Sequence, residues 1–208
     1  VARTVGSTAE QTRRRILDAA LELFTEHSYA GTAVRDIAER LGMTKAALYY
    51  HFASKEALLI ALAAPVVDEL DACAEAAERG SAEPAEIIRR LVDLFDDQRH
   101  LMKGMLHDAA ARKILLDRRH MFEGLGRLER ALAGSSSPSD LLRARCAVGA
   151  IRGAVMTTED IGHVASGQLP PDPWPQLSEA DRRTVTGAAL AVLRGTSRDA
   201  VDCCKLDQ

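Results

Sequence analysis

An all-α fold is what this sequence predicts, on three observations. Apolar residues return at the spacing of helices with one apolar face. Ala and Leu are plentiful while only 4% of the residues are aromatic, so the β-branched and aromatic runs that favour strands are missing. Gly, Pro and Ser stand where such helical patterns start and stop. With 208 residues the chain can bury a sizeable core in one or two domains.

Residues 1–9 carry no apolar pattern and are expected to be a flexible tail. Arg13, Arg14 and Arg15 then open a helix whose face is Ile16, Ala20, Leu23 and Phe24. The turn that follows, His27-Ser28-Tyr29, has no glycine. Either Ser28 takes a left-handed conformation at some strain or the turn differs.

The stretch from Thr32 to Lys55 is the most informative part of the chain. Val34, Ile37, Ala38 and Leu41 form one apolar face, Gly42 ends that helix, and Thr44 offers an N-cap hydroxyl to the next. In the second helix Leu48 and Phe52 share a face, with Lys45, Ala46, Tyr49 and Tyr50 largely on others. Ile37, Ala38, Leu41, Met43 and Leu48 supply the contacts between the two, which is a helix-turn-helix. A major groove about 12 Å wide admits such a helix. Thr44, Lys45 and Ala46 would face it, while Arg35, Tyr49, Tyr50, His51 and Lys55 could donate to phosphate oxygens. The same Tyr-Tyr-His-Phe run would also serve as a plain core cluster.

These residues carry a resemblance. The runs ILDAALELFTEH and TAVRDIAERLGMTKAALYYHFASKEALL closely resemble the N-terminal DNA-binding domain of the TetR family of bacterial transcriptional regulators, over about residues 10–60. The resemblance implies a three-helix DNA-binding domain at 10–56 and a helical ligand-binding and dimerisation bundle at 57–195, with a second tail at 196–208. It also implies a homodimer on a palindromic operator in double-stranded DNA, and a small-molecule effector bound in the C-terminal bundle.

Charge is compatible with that reading only through placement. The net charge is −3, but residues 1–60 hold 8 Lys+Arg against 7 Asp+Glu. Arg13, Arg14, Arg15, Arg35, Lys45 and Lys55 could gather on one side, giving a small basic footprint. No apolar run is long enough to span a membrane and no signal-peptide pattern opens the chain, so a cytoplasmic protein is expected. Cys73, Cys146, Cys203 and Cys204 lack metal-ligand spacing, and no cofactor is expected.

Beyond the first domain, Ser54 caps a helix that Pro65 should kink or divide before it ends at Gly80. Pro84 opens another with Ile87, Ile88, Leu91, Leu94 and Phe95. The resemblance implies a pocket in this part of the chain. Leu91, Phe95, Met102, Met105, Met121, Phe122, Leu125, Arg152 and Met156 are its candidate lining, although Met and Phe at helical spacing also make ordinary core. After the loop Ser135–Ser139, Asp140 caps a long helix with Gly149 and Gly153 four apart. A Pro-rich loop follows, and Ser178 with Asp181 opens the last helix. In the family these last two helices form the dimer interface.

Two other classes compete. Asp96, His100 and His107 would share a helix face and could hold a divalent metal or shuttle protons, as in a helical enzyme. The helix pair could instead bind a protein partner, as in an adaptor. The expected chemistry is binding, not catalysis.

Overall fold

The computed structural model describes residues 3–101, 108–117, 120–156 and 176–195, the side chains of 3–8, 120–122 and 156 excepted. Among them every regular element is a helix: α1 (Arg3–Gly31), α2 (Val34–Arg40), α3 (Lys45–His51), α4 (Lys55–Glu78), α5 (Pro84–Asp97), α6 (Ala109–Asp117), α7 (His120–Ala133), α8 (Pro138–Met156) and α9 (Glu179–Arg194). They group into two compact units. One comprises the chain up to Asp68 and the segment from His100 to Phe122; the other comprises Glu69–Arg99 and the chain from Glu123 onward. This division falls inside α4, and the segment carrying α6 packs on α1.

In the first unit α1 packs on α2 and α6, and α2 packs on α3. The expected faces meet: Ile16, Ala20, Leu23 and Phe24 are buried with Ile37, Ala38, Leu48 and Phe52. Each large aliphatic buried this way contributes about 1.5–3 kcal/mol. The expected punctuation is also present. Gly42 has φ 63°, and the Met43 N–H donates to the Ala38 carbonyl at 3.0 Å, closing the end of α2. The Thr44 hydroxyl accepts the Ala47 N–H at 3.1 Å at the start of α3, and Ser54 accepts the Ala57 N–H at 3.0 Å at the start of α4.

One expectation is corrected in this unit and two alternatives are narrowed. The tail at 1–9 is shorter than expected, since α1 begins at Arg3; once a helix is nucleated, extending it costs little and no proline stands in the way. Pro65 does not divide α4, which runs on to Glu78. At this exposed position the carbonyl that loses its donor can be hydrated. Ser28 does have positive φ, but at φ 64° and ψ 164° it occupies a region that ordinarily only glycine visits, and α1 is interrupted there.

In the second unit α8 packs against α9 and both pack on α5. The α5 face of Ile87, Ile88, Leu91, Val92 and Phe95 is buried, as is the α8 face of Ala144, Ala147, Val148, Ile151 and Val155. Gly124 lets α7 come close to α4, for a Cβ there would lie 2.5 Å from Asp71 Oδ1. Gly80 ends α4 with φ 62°, and Ser178 caps α9 by accepting the Asp181 N–H at 3.2 Å. The start of α8 is corrected: Pro138 begins it, so Asp140 lies in its first turn and pairs with Arg143 instead of capping.

Candidate nucleic-acid interface

Only one residue of α3, Leu48, is buried, and this single anchor leaves the rest of the helix outward. Tyr50 is 86% exposed and Tyr49 41%, with Lys45 and Ala46 also exposed. A large aromatic standing almost wholly in water is unusual for a residue with only a structural role. The Lys45 ammonium lies 5.6 Å from the centroid of the Tyr49 ring, and among the described residues it pairs with no carboxylate. The Tyr50 ring meets His51 edge-on at 5.3 Å. One exposed face thus presents Thr44, Lys45, Ala46, Tyr49 and Tyr50, a cation and two phenol hydroxyls around a small residue that permits close approach.

The other predicted cations are used differently. Arg35 is exposed and pairs with Glu39 at 3.3 Å, an arrangement worth about 0–1 kcal/mol and readily exchanged for a phosphate. Lys55 is committed to the protein. Its ammonium donates to the carbonyls of Tyr29 and Thr32 at 2.9 and 3.0 Å and lies 4.2 Å from the Tyr29 ring centroid. Arg13 donates to the His51 carbonyl and covers the Phe52 ring. Arg40 bridges to Glu22 and Glu26. Arg14 and Arg15 stay exposed with no carboxylate partner among the described residues. The basic footprint is therefore narrower than the sequence suggests, because a cation close to open carbonyls gains more by pairing locally.

Lys55 is one of two grips on the corner between α1 and α2. The other is Asp108, a buried carboxylate ahead of α6. One of its oxygens accepts the Ala30 N–H at 2.7 Å, and the other accepts the Ala110 and Ala111 N–H groups at 2.8 and 3.0 Å. Burial pushes this carboxyl up, but the N–H groups of Ala111, Ala30 and Ala110, with the Ser28 hydroxyl, outweigh it and hold it below the usual carboxylate range. Burial raises the Tyr29 phenol, and the charges of Glu56 and Asp108 raise it further. Within the same corner the Thr32 hydroxyl donates to the Leu23 and Ser28 carbonyls. Sequence reasoning missed Asp108, which no local pattern links to residues 28–32.

Only part of the candidate pocket lining lies among the described side chains. Leu91 and Phe95 are buried in the core and Leu125 is half-buried, but Arg152 is exposed, since it follows Ile151 on the far side of the buried face of α8. Met102 and Met105 lie outside the described residues, as do the side chains of Met121, Phe122 and Met156. A depression of about 330 Å³ between α5 and α9, apolar over much of its wall, is lined by Arg89, Val92, Asp93, Arg182, Arg183 and Leu190 among others.

The alternative reading groups Asp96, His100 and His107 as a metal cluster. No group of three His, Cys, Asp or Glu side chains among the described residues could hold a metal, and His107 lies outside them. Asp96 is fully buried and already paired: Arg182 Nη2 donates to it at 2.6 Å and the Leu177 N–H at 3.1 Å, while Arg182 also reaches Asp93 at 2.5 Å. A signal for this was legible. Ile88, Val92 and Asp96 recur every four residues, so an acid sits on the apolar face of α5, where it needs a buried partner. Cys73 is not a reactive thiol, because burial pushes it up to about 11.

Residues 16–62 match the model of the bacterial regulatory proteins of the tetR family. The A-factor receptor protein of Streptomyces griseus is 36% identical over 104 residues, which are 50% of this chain and 33% of that protein. The chain thus spans about a third of the length of the curated relatives it matches first. Among solved structures, the TetR family transcriptional regulator PfmR from Thermus thermophilus is 26% identical with a TM-score of 0.55, covering 88% of this chain and all of that one. A transcriptional regulator from Aquifex aeolicus shares the fold at 20% identity, with a TM-score of 0.61 over 89% of this chain and 97% of its own. Residues 16–62 thus form a helix-turn-helix domain of the tetR family type, and the helical architecture that follows is similar to that of solved TetR-family regulators.

Proposed function

We propose that the chain is a sequence-specific DNA-binding transcriptional regulator, a homodimeric repressor that leaves a palindromic operator when a small molecule binds its second helical unit. The observation that carries the reading is the exposed face of α3, where Lys45, Tyr49 and Tyr50 stand in solvent behind the Thr44 cap. Arg35, His51 and the exposed Arg14 and Arg15 supply further donors for phosphates. Lys55, tied to two carbonyls, contributes by holding the corner.

Dimerisation follows from the need for specificity. One seven-residue helix reads few base pairs, whereas two related by a two-fold axis read half-sites about 34–36 Å apart. The exposed, small and apolar residues Gly187, Ala188, Ala191 and Val192 of α9 suit close packing against a second copy. For the effector, support comes from similarity to a protein named as a receptor for A-factor. If an effector weakens operator binding, the operator weakens effector binding by the same factor. No described helix is long and apolar enough to cross a membrane, and the place of action would be the cytoplasm, where bacterial DNA lies.

The test is selection of bound sequences from a random duplex pool, followed by stoichiometry on the enriched duplex. A palindrome bound by an even number of chains is the expected outcome. Absence of enrichment at low salt would sink the proposal.

A further inference from the structure

We infer that Arg13 is a positioning residue for α3, capping the C-terminus of the recognition helix from 38 positions upstream, so that it sharpens sequence discrimination without touching DNA. The inference rests on the DNA-binding reading above and concerns how the reading helix is held. A seven-residue helix is short for independent stability, and its last carbonyls lack partners within the helix. In α3 a single side chain, Leu48, is buried, so orientation depends on the two ends. The N-terminal end has Thr44. At the other end Arg13 Nη1 donates to the carbonyl of His51, the last residue of α3, at 3.0 Å. Its guanidinium carbon lies 4.0 Å from the centroid of the buried Phe52 ring.

The two contacts fix both the end of the helix and the residue that follows it. A positive charge here also complements the partial negative charge of the helix terminus. Arg13 forms no ion pair with a described carboxylate, and its plane serves the ring as its N–H serves the carbonyl, a combination lysine cannot reproduce. Beside it, against Ser54 and the first turn of α4, lies an open depression of about 400 Å³. Arg14 and Arg15, exposed and lacking such contacts, are left for phosphates.

The test compares Arg13→Ala, Arg13→Lys and the unaltered protein on two probes: the duplex enriched from the random pool and a scrambled duplex of equal length. Positioning predicts that Arg13→Ala weakens the enriched duplex about tenfold, the scale of a hydrogen bond from a charged group. The scrambled duplex should bind as before, the salt slope should stay unchanged, and Arg13→Lys should recover part of the loss. A phosphate contact would weaken both duplexes alike and lower the slope by about one, which overturns the inference. Unchanged affinity for both overturns it too. A DNA-free readout separates this from the underlying reading: the Phe52 N–H, which donates to the Leu48 carbonyl, should exchange with solvent faster in Arg13→Ala and in Arg13→Lys. If no duplex is enriched, the DNA-binding reading fails, and unchanged Phe52 exchange would still refute the cap.

Discussion

Helices α3 and α9 are both poorly buried, each with one buried residue, yet what they expose differs in kind. On α3 the exposed groups are aromatic, hydroxylic and cationic, standing at the end of an N-capped helix. On α9 a face of Gly187, Ala188, Ala191 and Val192 is small and apolar. The first suits a partner rich in acceptors and negative charge, the second a protein surface that must come close. Exposure alone therefore says little; the chemistry of what is exposed separates a nucleic-acid surface from an association surface.

Spoiling α9 and reading the effect on DNA separates the two surfaces most strongly. Ala188→Glu leaves the isolated chain folded, because the position faces solvent. It should abolish self-association and weaken palindrome binding by about 100-fold or more, the scale on which linked sites reinforce each other. Sedimentation and duplex titration check it, and an intact dimer that still loses DNA binding would contradict the division of labour.

The next effect concerns what holds α9 in place. Arg182→Ala strands the buried Asp96 carboxylate, and chemical denaturation should reveal a loss of about 3 kcal/mol, the low end for breaking a buried pair, since Arg182 keeps part of its surface in water. A smaller effect is expected on α3 itself. Tyr50→Ala should weaken the enriched duplex by about tenfold while leaving self-association and thermal stability unchanged, since the ring touches little of the protein.

The contrast between the helices matches how much of each unit could be read in the sequence. Ile37, Ala38, Gly42, Thr44, Leu48 and Ser54 do in the structure what their spacing implies, because caps, turns and helix faces are local. The contacts that orient the same unit, Lys55 on Tyr29 and Thr32, Arg13 on His51 and Asp108 on Ala30, join residues 23 to 78 positions apart and end on main-chain atoms. Main-chain partners leave no sequence pattern, so the two cations among these residues read as DNA contacts. In the second unit the acid at position 96 signalled burial, but its partner, 86 residues away, did not.

The corner held by Asp108 makes the first unit's stability depend on pH. Its carboxyl is held below the unfolded value, so its contribution is complete above about pH 4 and is lost as pH falls through the lower folded value. Asp108→Asn should cost about 1–2 kcal/mol at neutral pH, and the gap to the unaltered protein should close below about pH 4. Urea midpoints across pH measure this, and a gap independent of pH would contradict the ionised clamp. The smallest effect is at Ser28. Glycine there relieves the strained backbone and should stabilise by about 1 kcal/mol, less than the full strain because the Ser28 contacts to the Gly31 N–H and the Asp108 carboxylate are lost.

The proposed function requires that α3 meet phosphates and base edges through its exposed face. Affinity of the unaltered protein and of Lys45→Ala for the enriched duplex, measured across salt concentrations, tests it most directly. A phosphate-facing ammonium predicts weaker binding and a log–log salt slope smaller by about one. Identical affinity and slope in the two proteins would show that this face does not meet DNA.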